Sequence, residues 1–501
     1  MMKKFLALFL SIGMLMSLTA CGSTSDPESS PSDSGTGEEI THLVMAFPTW
    51  TGAPADTQMV QDAINEITVE KLGIEVELQI YDAGSYGQSL TLSLSGGEQI
   101  DILSCMMVGY ATLVNQGYLL DLNENDLLET YGQGAIDALG REYIDATKFN
   151  GVQYGLPNNR DMAQGRGCLA VQTRCLEAIG YEFPNDGEEI IQISEEEICD
   201  IMAKLHEAFP DMETFRPLGT SLMQYTTIDR LGGDVFGVLT DYGHSSKVVN
   251  LFETQEYYDF CQLMYDWNQK GYVSKDAATD STAVSELVKS NVLISYHTGG
   301  KPGIKAQESA ADGADMTIFQ TKENFVASDS VATFPWCISI NTVNAEASMK
   351  LLNELYQNAE LANLLVYGIQ DVHYKLTENG QLTKEGVEKA NDYGTLAFIA
   401  PNQYLTYIAE TDDPQLWDKM RAFNDEAERS VACGFTFDSS DLTTEVAACQ
   451  NVYSEFRMSV ESGFVDPAVG IPEMNEKMLN SGLQKIIDAK QEQLDAWLAN
   501  Q

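Results

Sequence analysis

Cys21 has the most sharply defined chemical setting in this chain. It follows Leu18-Thr19-Ala20 at the end of an apolar run that starts after Met1-Met2-Lys3-Lys4. A basic start, a run from Phe5 to Leu18 too short for a stable span, and a small Ala20 make residues 1–20 read as a cleaved export signal. The thiol of Cys21 would then accept a diacylglyceryl group as a thioether, and two acyl chains suffice for lasting membrane attachment. Other reactive constellations are scarce. There is no HExxH, GxSxG or Walker loop, and His42, His206, His244, His297 and His373 lack metal-ligand spacing. Asp412-Asp413 and Asp438/Asp441 have the side chains for glycoside hydrolysis, but among 75 Asp and Glu such pairs arise by chance. Asp438-Ser439-Ser440-Asp441 lacks the glycine and closing glutamate of an EF-hand loop and reads as a helix cap. No catalytic residue, no metal site and no cofactor is expected.

After Cys21 the other eight cysteines, Cys105, Cys168, Cys175, Cys199, Cys261, Cys337, Cys433 and Cys449, show no CxxC spacing. Several sit in apolar periodic stretches, so they read as mostly free, buried thiols. Residues 21–39 contain GSTSDPESSPSDSGTGEE, which holds no large apolar group and reads as a flexible polar linker. The following ~460 residues exceed one core and suit two lobes. The formal charge is −46. Phosphate polymers are repelled at that charge, which argues against nucleic acid and suits a neutral ligand.

The elements that must position any site begin with a β-α-β pattern. Leu43 to Phe47 is a continuous apolar strand, and Val60, Ile64, Ile67 and Leu72 share one helical face. Ile74, Val76, Leu78 and Ile80 then alternate with polar residues, a half-exposed strand. Leu90, Leu92 and Leu94 lie on a short helix ending at Gly96-Gly97, and Ile100 to Ser104 is a further strand. This alternation implies a mainly parallel sheet whose ligands bind beyond the carboxyl ends of the strands. Ser194 and Glu197 form a capping box ahead of Ile198, Met202, Leu205 and Phe209. Tyr257, Phe260, Met264 and Trp267 line another helix. Strands are expected at Asn291 to Tyr296 and Cys337 to Ile340, a long helix over about Ala345 to Val366, and one C-terminal stripe from Met474 to Trp497.

The order of lipobox, linker, β-α-β start, Gly151-Val152-Gln153-Tyr154-Gly155-Leu156-Pro157 crossover and acidic helical C-terminus resembles the extracellular solute-binding lipoproteins of ABC importers, in the maltose-binding-like superfamily. Stretches such as Leu364 to Tyr374 and Gly434-Phe435-Thr436-Phe437-Asp438 are similar to its long Gram-positive branch. The resemblance implies an α/β, two-lobed periplasmic-binding-protein-like fold with a hinge between lobes. One lobe would comprise 40–156 plus 336–393 and the other 158–334 plus 396–501. It further implies a monomeric receptor, anchored on the outer face of the cytoplasmic membrane, that delivers a neutral ligand, foremost a carbohydrate or oligosaccharide, to ABC permease subunits. A tethered glycan hydrolase, or a receptor of the same fold for peptides or other small solutes, are the alternatives.

Sugar recognition needs aromatic faces for C–H surfaces and planar polar groups for hydroxyls. Trp50 is the foremost candidate, because it follows the first strand within a Pro-Gly loop. Asn158, Asn159 and Arg160 come just past the first crossing. Tyr296 and Thr298 end a strand ahead of Gly299-Gly300, a position similar to an aromatic-bearing loop of the maltose-binding group. Trp336 lies at the next crossing, where hinge packing is an equal reading. Tyr374, Tyr404 and Phe435 complete the candidates.

Overall fold

The strand Thr41–Thr49 is buried from Leu43 onward, as its nearly unbroken apolar run requires. The computed structural model describes residues 40–184 and 189–500; the expected signal peptide, Cys21 and the expected linker lie outside the described residues. Thr41–Thr49 pairs in parallel with Ile74–Asp82 on one side and with Ile102–Ser104 on the other. Trp336–Ile338 adds antiparallel to the latter, and Gly155–Leu156 closes the sheet. Helix Thr57–Leu72 lays Val60 and Ile64 on this sheet and ends at Gly73, whose φ of 66° is open to glycine without strain. Helix Ala83–Gly96 follows, its first turn capped by the Asp82 carboxylate on the Gly84 amide.

A second sheet is built around Gln164–Gln172. It runs antiparallel to Leu293–Gly300 on one side and to Met316–Gln320 and Asn324–Val326 on the other. Glu213–Arg216, Ile190–Gln192 and Glu428–Arg429 add in parallel at the outer positions. The expectation of a mainly parallel sheet therefore describes the start of the first sheet and not the second. In the second, the central strand meets only antiparallel neighbours. Its core packs Phe215, Tyr257, Phe260, Trp267, Met474 and Met478. The capping box of helix Glu195–Ala208 is formed, with Ser194 and Glu197 bonding reciprocally. These are two α/β lobes, each with its own sheet and apolar core.

Three expectations are corrected. The helix over Ala345 to Val366 is two helices, Ala345–Gln357 and Ala359–Tyr367, because the Asn358 side chain caps the second by accepting from the Glu360 and Leu361 amides. The C-terminal stripe is likewise two helices, Pro467–Asn480 and Leu483–Leu498, parted at Gly482 with φ 102°. Residues after 395 do not all follow the second lobe. The Leu382 amide donates to Ile408 and Glu410 to Leu382, both at 2.8 Å, and the Asn402 amide group donates to Tyr356 at 2.8 Å. The chain joins the second sheet only at Glu428–Arg429.

Candidate functional site

Two short segments change sheet, besides the long return from Trp336–Ile338 to Glu428–Arg429. Gly155–Leu156 belongs to the first and Gln164–Gln172 to the second, so 157–163 crosses between them. Asn324–Val326 belongs to the second and Trp336–Ile338 to the first, so 327–335 crosses back. Crossings leave the first sheet at the carboxyl end of its parallel strands, the edge at which Trp50 follows Thr41–Thr49. A cleft of about 510 Å³ lies where the crossings meet the second sheet, within the size range of small-molecule sites.

The cleft floor is shaped by a bulge. The pairing of Leu293–Gly300 with the central strand shifts register between Thr298 and Gly300. A Cβ on Gly165 would lie 2.9 Å from the Gly300 Cα, so two glycines are what let these backbones meet. Thr298, Lys301 and Glu308 rise from this side, Arg160 and Asp161 from the first crossing, and Asp329 from the second. The Asp161 carboxylate accepts from Arg160 and from Lys301, each at 2.8 Å. Burial alone would raise its pKa, but these two cations outweigh burial and hold it below the usual carboxylate range. Thr298 and Tyr296 donate to Glu308 at 2.8 Å, and Tyr296 also reaches Asp312 at 2.6 Å.

Trp50 lies outside this lining, at the carboxyl end of Thr41–Thr49 in the first sheet. Thr49 Oγ1 donates to the Gly52 carbonyl at 2.6 Å and closes the turn that carries it, with Gly52 at φ 79°. Its side chain is 57% exposed, the rest resting against Phe398 at 6.3 Å between ring centroids. Phe398 meets Phe334 at 5.9 Å, and the Arg160 guanidinium lies 5.3 Å from the Phe334 centroid. An unbroken chain of aromatic faces thus runs from Trp50 to the polar cleft. Aromatic surface at one end and convergent hydroxyl, amide and charged groups at the other suit a ligand with both C–H faces and many hydroxyls.

Other sequence candidates have different placements. Asn158 donates to the Ile399 and Ala400 carbonyls, and Trp336 Nε1 donates to Ile399 at 2.7 Å; both side chains are buried. Asn159 donates to Ala138 at 2.9 Å. Tyr404 donates to the Arg160 carbonyl at 2.7 Å and packs beneath the crossing. These four hold the crossing segments in place, each donating to a backbone carbonyl. Tyr296 is buried under the cleft, behind Thr298. Tyr374 packs with Tyr367 and Tyr407, and Phe435 with Trp497, at separate surface depressions. Only Arg160 and Thr298 among the candidates line the main cleft, with Trp50 reaching it through Phe398 and Phe334.

Sequence reasoning passed over Arg166, Arg230, Lys301, Glu308 and Asp329. Arg166 leaves one signal: it is a lone charge inside the apolar strand sequence Gly165-Arg166-Gly167-Cys168-Leu169-Ala170-Val171. Among the described residues no group of His, Cys, Asp or Glu is placed to hold a metal ion, and no helix is long and apolar enough to cross a membrane.

The comparisons with known proteins extend over the chain. A carbohydrate ABC transporter substrate-binding protein of Streptococcus pneumoniae is 26% identical over 498 residues, 98% of this chain and 97% of that protein. A family profile described as a domain of unknown function (DUF3502) matches residues 431–499. Among solved structures, the N-glycan transport solute-binding protein NgtS of S. pneumoniae superposes with a TM-score of 0.79 at 24% identity, covering 92% of this chain and 99% of that one. Its complex with Man1GlcNAc gives 0.69, covering 92% and 100%. The fold is the two-lobed fold of ABC-importer solute-binding proteins.

Proposed function

We propose that this chain is the solute-binding component of an ABC importer and that it takes an oligosaccharide into the cleft at the crossings. The observation that carries the reading is the pairing of two surfaces, the exposed Trp50 on the first lobe and the polar cleft on the second. A pyranose needs both, stacking for its C–H face and planar donors and acceptors for its hydroxyls. The full-length likeness to a carbohydrate ABC transporter substrate-binding protein supports the same class. A few stacking contacts and several hydrogen bonds are enough for an affinity on the order of micromolar, about −8 kcal/mol.

The role is binding without turnover. Asp161 is held by two cations and Asp329 by Arg230, while Glu308 accepts from two hydroxyls. None is left as a free acid beside a free base. Closure of the lobes over the sugar would give the form its permease recognises. The anchor is the lipid on Cys21, which places the receptor on the outer face of the cytoplasmic membrane. Cys21→Ser is expected to leave the protein uncleaved or released; membrane retention equal to the parent after globomycin-insensitive processing would remove the anchor from this account.

The test of the binding reading is a thermal-shift screen of mono- and oligosaccharides against short peptides, followed by calorimetry on the hits. Stabilisation by an oligosaccharide without its consumption supports the proposal. Stabilisation by peptides alone, or steady release of sugar products, would replace it.

A further inference from the structure

The cleft carries a charge arrangement that sugar hydroxyls do not require. The chain has only 29 Lys and Arg, yet Arg160, Arg166, Arg230 and Lys301 all line this one cleft. Three of them are matched. Arg160 and Lys301 share Asp161, and Arg230 lies 3.1 Å from Asp329. The helix Ile304–Asp312 also borders the cleft, but its first amides are already taken, since Glu189 accepts from the Gly303 and Lys305 amides at 2.8 Å each.

Arg166 is the exception. It is 4% exposed, its Nη1 donates to the Met223 carbonyl, and its guanidinium lies 5.3 Å from the Phe325 ring centroid. Among the described residues its Nε has no hydrogen-bond partner, and no carboxylate reaches ion-pair distance of it. Of the two nearest acids, Asp329 lies beyond ion-pair distance and is paired with Arg230, while Asp229 is bonded to Ser328 and the Leu231 amide and burial raises its pKa, which weakens it as a counter-charge. A buried guanidinium without a carboxylate is costly, and burial lowers the Arg166 pKa to about 10. A guanidinium presents its donors in a fork that matches the two oxygens of a carboxylate.

We propose that Arg166 marks an anion subsite of the cleft, with Arg230 beside it, and that the solute is an acidic oligosaccharide whose hexuronic or nonulosonic acid carboxylate docks there. This rests on the reading of the cleft as an oligosaccharide site, and it departs from the neutral ligand that the net charge suggests. The surface charge does not forbid it, because ions screen exposed charges beyond about 8 Å at physiological ionic strength while a buried cation is screened far less.

The test compares each acid with its own methyl ester, which removes the charge and keeps the sugar. Trigalacturonate, a glucuronic-acid-terminated disaccharide and 3′-sialyllactose are titrated calorimetrically into the protein, each beside its ester, with neutral oligosaccharides of similar size. At least one acid is expected to bind tenfold or more tighter than its ester. Arg166→Gln should bring that pair within about threefold, and Arg166→Lys should fall between. If acids and esters bind alike, or only neutral oligosaccharides bind, the anion subsite is wrong while the oligosaccharide reading stands. If no saccharide of either kind binds, that reading falls and the subsite with it. The acid-to-ester comparison on the parent protein decides the matter even if Arg166→Gln does not fold.

Discussion

At Trp50 a large apolar side chain is left mostly in solvent by a protein that buries Trp267 and Trp336 almost completely. Removing it should cost the folded state little and the complex much. Trp50→Ala is expected to weaken oligosaccharide binding by about 1–3 kcal/mol, the scale of one aromatic contact, while leaving the melting temperature of the free protein nearly unchanged. Calorimetry and a thermal melt on the same variant separate binding from stability. Glu461 is the opposite case, a carboxyl sealed in the second-lobe core that accepts from Tyr453 at 2.7 Å and Tyr257 at 3.2 Å. Burial pushes its pKa up from 4.5 to about 7. The folded state therefore keeps a proton that the unfolded chain has lost, and the stability this gives is present below about pH 4.5 and is lost as pH rises through about 7. The span is worth roughly 3 kcal/mol at most. Thermal melts from pH 5 to 8 should show Glu461→Gln gaining on the parent as pH rises; a constant difference would mean the carboxyl ionises freely in the core. The exposure of Trp50 was legible in the sequence because a strand end and a Pro-Gly loop leave a tryptophan little to pack against. Arg166 was not, because a charge in an apolar strand says that it is buried but not what it faces.

Elements were legible wherever one local signal dominated. The Ser194 capping box, the Tyr257 to Trp267 face and the first β-α-β unit each follow from spacing within a single window. Breaks were missed at Asn358 and Gly482, where apolar spacing continues across the gap and the interruption depends on a side-chain cap or a backbone angle. The lacing of the crossings was invisible for a different reason, since its partners are far apart in sequence. Asn424 Oδ1 accepts from the Met162 and Ala163 amides at 2.9 and 3.0 Å, and its Nδ2 donates to the Arg160 carbonyl at 2.8 Å. One buried amide thus fixes the backbone that presents Arg160 and Asp161 to the cleft. Asn424→Ala would strand the Met162 and Ala163 amide donors, while Tyr404 keeps the Arg160 carbonyl satisfied, and it is expected to destabilise the protein by about 2–4 kcal/mol in denaturant unfolding and to weaken binding as well. A variant with parental stability would show that water or a neighbour replaces the amide without loss.

On the scale of the whole molecule, both the strength and the freedom of the hinge come from where its segments are tied. The first crossing is bonded to 399–403 through Asn158 and Asn159, and Trp336 at the end of the second crossing is bonded to the same stretch. These bonds stay on the first-lobe side, because 402–410 is itself fastened to the helices and strands there. On the second-lobe side the crossings pass directly into the sheet at Gln164 and leave it at Val326. Rotation about the crossings would therefore change the distance between Trp50 and the second-lobe side of the cleft without breaking either core. A sugar held by both walls favours the closed arrangement by the contacts it makes only there. Small-angle scattering should accordingly give a smaller radius of gyration with a saturating oligosaccharide, and Trp50→Ala at saturation should compact less, since it removes the first-lobe contact that rewards closure. Identical dimensions with and without sugar would mean that binding occurs on one wall alone and that the crossings serve as a rigid frame.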